Sequence, residues 1–439
     1  MSRTRFAPSG PLYGWLRPPA DKSISHRAAL IAAMGEGETI VEGYLDAADT
    51  RSTLEAVKAL GAEVVEEKLG EGEGTAGARG LQLRIRGVGL RNPQQADIDV
   101  GNAGTLLRLL PGWVAGQAAG EWTLNGDESI RRRPVDRIAI PLREMGADLS
   151  AREDRLPPLQ VRGAPLHGIT YEMPIASAQV KSCVLFAALL AEGETRVVEP
   201  APSRNHTEAM LRAAGVSLTS EENVVVVQPA EKLEPDDLLV PADISSAAFF
   251  LTAAVLVPGS KVELRWVGVN PTRTGLLAIL KRMGAEFEFD QEAESGGERV
   301  ATLSAVHASL QATEVGGAEI PLAIDELPLV ALAACFAEGT TTIRDAGELR
   351  RKESDRIETV TAALRALGGH VEPTEDGMVI EGTGGLRGGS IDSHGDHRIA
   401  MLGAVAGLAS REGVEVHGME AAAVSYPGFE SDLASLACR

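Results

Sequence analysis

Seven residues, Asp21-Lys22-Ser23-Ile24-Ser25-His26-Arg27, combine a short acid, a lysine, two hydroxyls and an arginine just before an apolar run, Ala28 to Met34. Asp21 or Ser23 is suited to cap a helix, since a short side-chain oxygen accepts from the unpaired amides of a first turn. Those free amides and the positive end of the helix dipole attract an anion. Lys22 adds a point charge beside them, and Arg27, one turn on, adds a two-pronged grip for a carboxylate or phosphate. The bland alternative is a capped surface helix with solvated charges. It loses ground because the pattern returns along the chain.

The next such opening is Gly101-Asn102-Ala103-Gly104-Thr105 with Arg108 behind it. It lacks the Gly-Lys-Ser/Thr ending of a nucleotide P-loop, which argues against ATP, but its small residues let backbone amides approach an anion closely. Arg131-Arg132-Arg133-Pro134 is read as a basic cluster at a helix start, where the dipole disfavours cations, so a ligand anion is the better explanation. Charge alone does not say which arginine points inward. Ser177-Ala178-Gln179 offers a hydroxyl and an amide at another start, and Ser203 to Glu208 is a polar run opening a further helix. Asp325-Glu326 precedes an apolar helix; an acid is a common cap, yet among cationic openings it is the best-placed general base. Arg350 to Arg356 packs cations and acids together, and helical spacing puts Lys352, Glu353 and Arg356 on part of one face. Asp396-His397-Arg398 adds a cation and a titratable histidine at the last start.

These openings belong to a repeat. A polar cap runs into an Ala/Leu-rich helix, then Gly and a β-branched strand, then a second helix ending in Leu/Met-Gly-Ala or a close variant. The starts fall at Asp21, Gly101, Ser177, Asp243, Asp325 and, truncated, Gly395, a period of roughly 70–85 residues. Each helix is expected to carry an apolar stripe, and each glycine after a second helix to be a left-handed C-cap. Pro19-Ala20-Asp21 and Pro241-Ala242-Asp243 are near-identical, which suggests a duplicated three-repeat half. The expected fold is α/β, with two similar domains of three βαβαββ units whose helix N-termini converge on the interdomain cleft. The N-terminal domain is read as 20–241 and the C-terminal one as 1–19 plus 242–439, with strand Gly14 to Arg17 pairing into the latter. Lys68 to Gly80 reads as an exposed loop.

With 439 residues and 44% hydrophobic content the chain supports two cores, and with aromatics at 4% small aliphatics must pack them. A net charge of −20 argues against nucleic-acid or membrane-surface binding. Cys183, Cys335 and Cys438 sit at no metal or redox spacing and read as small buried apolar residues of a reducing cytosol. No apolar run reaches the ~18 residues a membrane span needs, so a soluble cytoplasmic protein is expected.

In order and spacing, Asp21-Lys22-Ser23-x-Ser25-His26-Arg27, Gly101-Asn102-Ala103-Gly104-Thr105-x-x-Arg108, Arg133-Pro134, Lys352-Glu353-Ser354-Asp355-Arg356 and Asp396-His397-Arg398 resemble the enolpyruvyl transferases, in particular those acting on shikimate 3-phosphate. The resemblance covers essentially the whole chain. It implies transfer of the enolpyruvyl group of phosphoenolpyruvate to shikimate 3-phosphate with release of phosphate, no metal and no organic cofactor, by a monomer. It also implies roles: Lys22, Ser23, Arg27, Ser177, Ala178 (through its backbone), Gln179, Ser203, Asp325 and Lys352 for shikimate 3-phosphate. Lys22, Asn102, Gly104, Arg133, Gln179, Arg356 and Arg398 would hold phosphoenolpyruvate. Lys22, Asp325 and Glu353 would serve proton transfer. Two departures stand out. Val424 occupies the place of a lysine often found before the Ser425-Tyr426-Pro427 ending, and Ala178 replaces a second serine. Some glyphosate-resistant relatives carry alanine where this chain has Gly104, so glyphosate is expected to bind. The alternatives are UDP-N-acetylglucosamine enolpyruvyl transferase, disfavoured by Lys22-Ser23 and the lack of cysteine before Cys183, and a non-catalytic ring or clamp for nucleic acid, disfavoured by polar caps that differ from repeat to repeat.

Overall fold

The computed structural model describes residues 2–70 and 74–437. Cys438 therefore lies outside the described residues, as does the middle of the Lys68 to Gly80 loop; its flanks are strands Glu63–Leu69 and Gly80–Arg86. The chain divides into two compact units, residues 20–241 with 294–298, and residues 1–19, 242–293 and 299–439. The segment 294–298, assigned from sequence to the C-terminal half, groups with the N-terminal unit. There Glu298 Oε1 accepts from buried His206 Nδ1 at 2.7 Å, and Ser295 Oγ bonds both backbone groups of Leu239.

In the N-terminal unit the strands form three four-stranded sheets of one topology. The middle one is representative: Ala96–Asp99 lies parallel to Glu121–Asn125, which pairs antiparallel with Leu156–Arg162, itself antiparallel to Asp148–Arg152. A helix joins the parallel pair and a second helix leads to the hairpin, giving βαβαββ. The first repeat completes its sheet with Leu238–Leu239, parallel to Glu38–Tyr44. In the C-terminal unit Tyr13–Leu16 plays that part, parallel to Lys261–Gly268. The truncated sixth repeat lacks its hairpin. Arg3–Phe6 fills the gap, pairing antiparallel with Val414–His417.

Left-handed glycines close the second helices as expected: Gly61, Gly146, Gly215, Gly284 and Gly368 have φ between +86° and +110°. The first helix of each repeat departs from expectation. Ile244–Leu256 is buried along its whole length and Leu327–Phe336 along all but its last residue, so they carry no polar face. A helix apolar all round belongs inside a domain, and these form the two cores. The striped helices are the second ones, such as Asp136–Glu144, which buries Ile138, Ala139, Pro141 and Leu142. Because a core helix has only its ends at the surface, each repeat presents a helix N-terminus rather than a helix side. That is what positions the polar openings.

Candidate active site

In the N-terminal unit, Asp21 caps Lys22–Met34, its Oδ1 accepting from Ile24 N at 2.9 Å. Lys22, the first helical residue, pairs with Asp49 at 3.0 Å and keeps 30% of its side chain exposed. Arg27 is buried, and its nitrogens donate to Thr207 Oγ1 (2.6 Å), Ser182 Oγ (2.8 Å) and Ser23 O (2.9 Å). Burial lowers its pKa to about 10, with Glu208 and Asp21 working the other way. Its fork is thus largely spent inside the unit, where it ties the first repeat to the third.

Gly104 begins the helix Gly104–Ala115, and Ala103 in the cap position offers no side-chain acceptor. Two arginines crowd this open end. Arg108 donates to Gln179 Oε1 at 3.0 Å and to Gly104 O at 3.3 Å. Arg133 donates to Asn102 Oδ1 at 2.8 Å and Ser129 Oγ at 3.2 Å. Among the described residues neither has a carboxylate partner, and burial together with the charges of Arg133 and Arg137 lowers the Arg108 pKa to about 10. A Cβ on Gly104 would lie 2.9 Å from Arg133 Nη1 and 3.1 Å from Arg108 Nη1. Of the three adjacent arginines, Arg133 is therefore the one directed to this helix start, while Arg132 pairs with Glu128 and Arg131 with Asn125. The cluster does not open a helix: Ile130–Arg132 is a single 3-10 turn and the next helix begins at Asp136.

Ser177 caps Ala178–Ala188 through Val180 N at 3.5 Å, and the Ala178 carbonyl accepts from Ser182 Oγ at 2.6 Å. Gln179 reaches to the second repeat, donating to Thr105 Oγ1 at 3.1 Å while accepting from Arg108. Ser203 donates to Glu199, which with Glu208 holds fully buried Lys181 at 2.7 Å each. Lys181 and Glu199 escaped sequence reading. The available signal was a lysine inside an apolar helix, which must find a buried counter-charge. Asp49 carried no such signal.

In the C-terminal unit the helix starts are occupied by acids. Asp243 caps Ile244–Leu256, and Asp396 caps His397–Ala409 through Arg398 N. Asp325 is contacted by Lys352 Nζ (3.1 Å), Arg356 Nη1 (3.4 Å) and, more distantly, Arg398 Nη2 (3.9 Å). Arg356, 1% exposed, joins Asp325 to Asp396 (Nε, 2.8 Å) and Glu353 (Nη2, 2.6 Å). Burial opposes its charge, but Glu353 and Asp396 outweigh that and hold it firmly protonated. Burial raises Glu353 and Asp396 in turn, and Arg356 overrides it, so both carboxyls sit below their ordinary values. Burial lowers the pKa of His397 to about 4, so the titratable histidine of this opening is a neutral ring at pH 7 and Arg398 is its cation.

Lys352, Glu353 and Arg356 do not share a helix face: Lys352 follows a 3-10 turn, Asp355 caps, and Arg356 is the first helical residue. Val424 ends a 3-10 turn, half exposed, and Tyr426 packs on Phe250 and Phe429 with its hydroxyl bonded to Asp432, so that ending is structural. Cys183 and Cys335 are buried, and burial pushes the Cys335 thiol up to about 12 and that of Cys183 higher still.

The fold and these clusters define an α/β protein of duplicated three-repeat units, cationic at the helix starts of one unit and acid-rich at those of the other. The family model for EPSP synthase (3-phosphoshikimate 1-carboxyvinyltransferase) matches residues 6–433. The 3-phosphoshikimate 1-carboxyvinyltransferase of Methylococcus capsulatus is 47% identical, covering 96% of this chain and 94% of its own. That of Thermoanaerobacter sp. is 45% identical over 95% and 96%. A solved EPSP synthase from Acinetobacter baumannii superposes with a TM-score of 0.88 at 41% identity, covering 99% of this chain and 98% of its own. The chain belongs to the EPSP synthase family.

Proposed function

We propose that the residues described above carry out the carboxyvinyl transfer for which this family is named, taking phosphoenolpyruvate and shikimate 3-phosphate to the enolpyruvyl ether and phosphate. The observation that carries the reading is Arg108 beside Arg133, two arginines that among the described residues have no carboxylate partner, at the start of Gly104–Ala115, where Ala103 makes no capping bond. Like charges held together are stabilised by an arriving anion, and backbone amides at a helix start add to the attraction.

In this reading Asn102, Gly104, Arg133, Gln179 and Lys22 hold phosphoenolpyruvate, with Arg398 and Arg356 contributing. Arg356 does so chiefly by gathering Asp325, Glu353 and Asp396, since its nitrogens are committed to them. Ser23, Arg27, Ser177, the Ala178 backbone, Gln179, Ser203, Lys22, Asp325 and Lys352 hold shikimate 3-phosphate. The 5-hydroxyl oxygen attacks C2 of phosphoenolpyruvate, a base takes the hydroxyl proton, and an acid protonates the methylene carbon. The tetrahedral intermediate then loses phosphate and one methyl proton. Asp325 suits the base, with Lys22 and Lys352 steadying the developing charge. Glu353, ionised at neutral pH and 45% exposed, takes up its proton only as charge around it changes.

The same reading takes the enzyme as a cytosolic monomer needing no cofactor. No helix among the described residues is long and apolar enough to cross a membrane. The test is phosphate release from purified protein with and without EDTA. Release that needs both substrates and ignores the chelator supports the proposal. Release with UDP-N-acetylglucosamine in place of shikimate 3-phosphate, or no release at all, overturns it.

A further inference from the structure

A buried chain of polar groups runs through the C-terminal unit and ends on Arg398. Arg273 Nη2 donates to Ser245 Oγ at 2.7 Å and to Asp243 Oδ1 at 3.2 Å. Ser245 Oγ donates to Glu326 Oε1, which also accepts from Arg398 Nη1 at 3.3 Å. Arg398 Nη1 donates in addition to Asp325 O at 3.0 Å. Arg273, Ser245 and Glu326 are each at most 4% exposed, whereas the Arg398 side chain keeps 11%. The chain links the helix starts of the fourth, fifth and sixth repeats, at Ser245, Glu326 and Arg398.

Three features make this more than core satisfaction. Glu326 occupies the N-cap position of Leu327–Phe336 but makes no capping bond, so its carboxylate is diverted from the role its place favours. Ser245 accepts from Arg273 and so is constrained to direct its own proton at Glu326. Arg398 is held along one edge only: Nη1 is engaged, Nη2 comes no nearer than 3.9 Å to Asp325 Oδ2, and Nε makes no hydrogen bond among the described residues. A guanidinium anchored on one edge presents the other as a preformed fork for a carboxylate or phosphate.

We propose that Glu326 is a positioning residue, oriented by Ser245 and Arg273, that fixes Arg398 for an anionic substrate group. The inference rests on the reading of Arg398 as a phosphoenolpyruvate ligand. A buried carboxylate held by two donors sets the orientation of the arginine before the ligand arrives, so less ordering is left for binding.

The test is steady-state kinetics with each substrate varied separately. Glu326→Ala is expected to raise the KM for phosphoenolpyruvate about tenfold, with the KM for shikimate 3-phosphate changed less than about twofold. Glu326→Gln, which keeps an acceptor, restores most of the loss, and Ser245→Ala gives an intermediate rise of about threefold. Should Glu326→Ala fail to fold, Ser245→Ala carries the same split. In an Arg398→Met background the Ser245 and Glu326 changes should add nothing further, because the group they position is gone. Equal changes in both KM values, or a further loss in the Arg398→Met background, would overturn the positioning role while leaving Arg398 as a ligand. An unchanged phosphoenolpyruvate KM in Arg398→Met alone would instead remove Arg398 from the site.

Discussion

Two of the three corresponding helix starts in the two units carry different chemistry. The first pair, Asp21 and Asp243, still match, each an aspartate capping a core helix. At the second pair the cap is Ala103 in one unit and Glu326 in the other, and at the third it is Ser177 against Asp396. One unit leaves its second helix start open and brings arginines to it; the other places carboxylates at its second and third starts and spends arginines holding them. A connection survives the divergence. The second residue of the third core helix reaches back to the second helix start in both units, as Gln179 to Thr105 and as Arg398 to Asp325 O. The scaffold and this tie are common to both units while the charges differ. The division suits the proposed reaction, in which polyanions must be held while protons move: in that reading Arg108 and Arg133 supply attraction and the restrained acids supply proton transfer.

The sharpest break of this comparison is Asp325→Asn. It keeps size and an acceptor for Lys352 but removes the base, so kcat is expected to fall about 10²–10⁴-fold with modest change in either KM. Phosphate release under saturating substrates measures it. A loss of only a few fold would shift proton transfer away from the acid-rich unit. Next in size is Arg133→Met in the cationic unit, expected to raise the phosphoenolpyruvate KM by about tenfold or more, since a charged hydrogen-bond donor is lost. A matching rise in the KM for shikimate 3-phosphate would mean the two anions are not separated as proposed.

Gly104→Ala sharpens the same point with a single methyl group. The added carbon meets only the tips of Arg133 and Arg108, which are flexible, so the fold should tolerate it while both guanidinium groups shift. The expected result is a severalfold rise in the phosphoenolpyruvate KM and a larger rise in the glyphosate concentration needed for half inhibition. The protein with Gly104 is expected to be inhibited by glyphosate, and an inhibition curve flat to millimolar concentration would refute that.

The helix starts were legible because caps, glycine C-caps and β-branched strands are local signals, and Asp21, Ser177, Asp243, Asp396 and Gly61 act as their types demand. An apolar stripe is what local sequence implies for the core helices, whereas the full burial of Ile244–Leu256 depends on sheets and helices distant in sequence. Partnerships were hidden for the same reason. Lys22 finds Asp49 and Arg273 finds Ser245 only through the fold, and burial, not residue type, makes His397 neutral. Nothing in the order Lys352-Glu353-Arg356 reveals that the helix begins at its last member.

The smallest effect concerns stability and links the paired units through their histidines. His26 is fully buried, its Nδ1 bonded to Thr53 Oγ1 at 2.6 Å and its Nε2 without a partner among the described residues. Burial, aided by the charge of Lys22, lowers its pKa to about 3, as burial lowers His397 to about 4. Unfolded, both rings titrate near 6.5, so below that pH the unfolded chain binds protons that the folded chain refuses. Stability from this source is complete above about pH 6.5 and drains away as pH falls toward 4 and 3, at a limiting slope of about 1.4 kcal/mol per pH unit for each ring. Glu353 and Asp396, held below their ordinary values, stay ionised between pH 6.5 and 5 and contribute little to that change. His26→Gln removes one of the two rings, so the drop in Tm from pH 6.5 to 5 should shrink by about half, whatever the variant's Tm at pH 7. An undiminished drop would show that His26 takes up its proton in the folded state, and that the first core helix of the cationic unit tolerates a buried charge which its neighbours Lys22 and Arg27 should forbid.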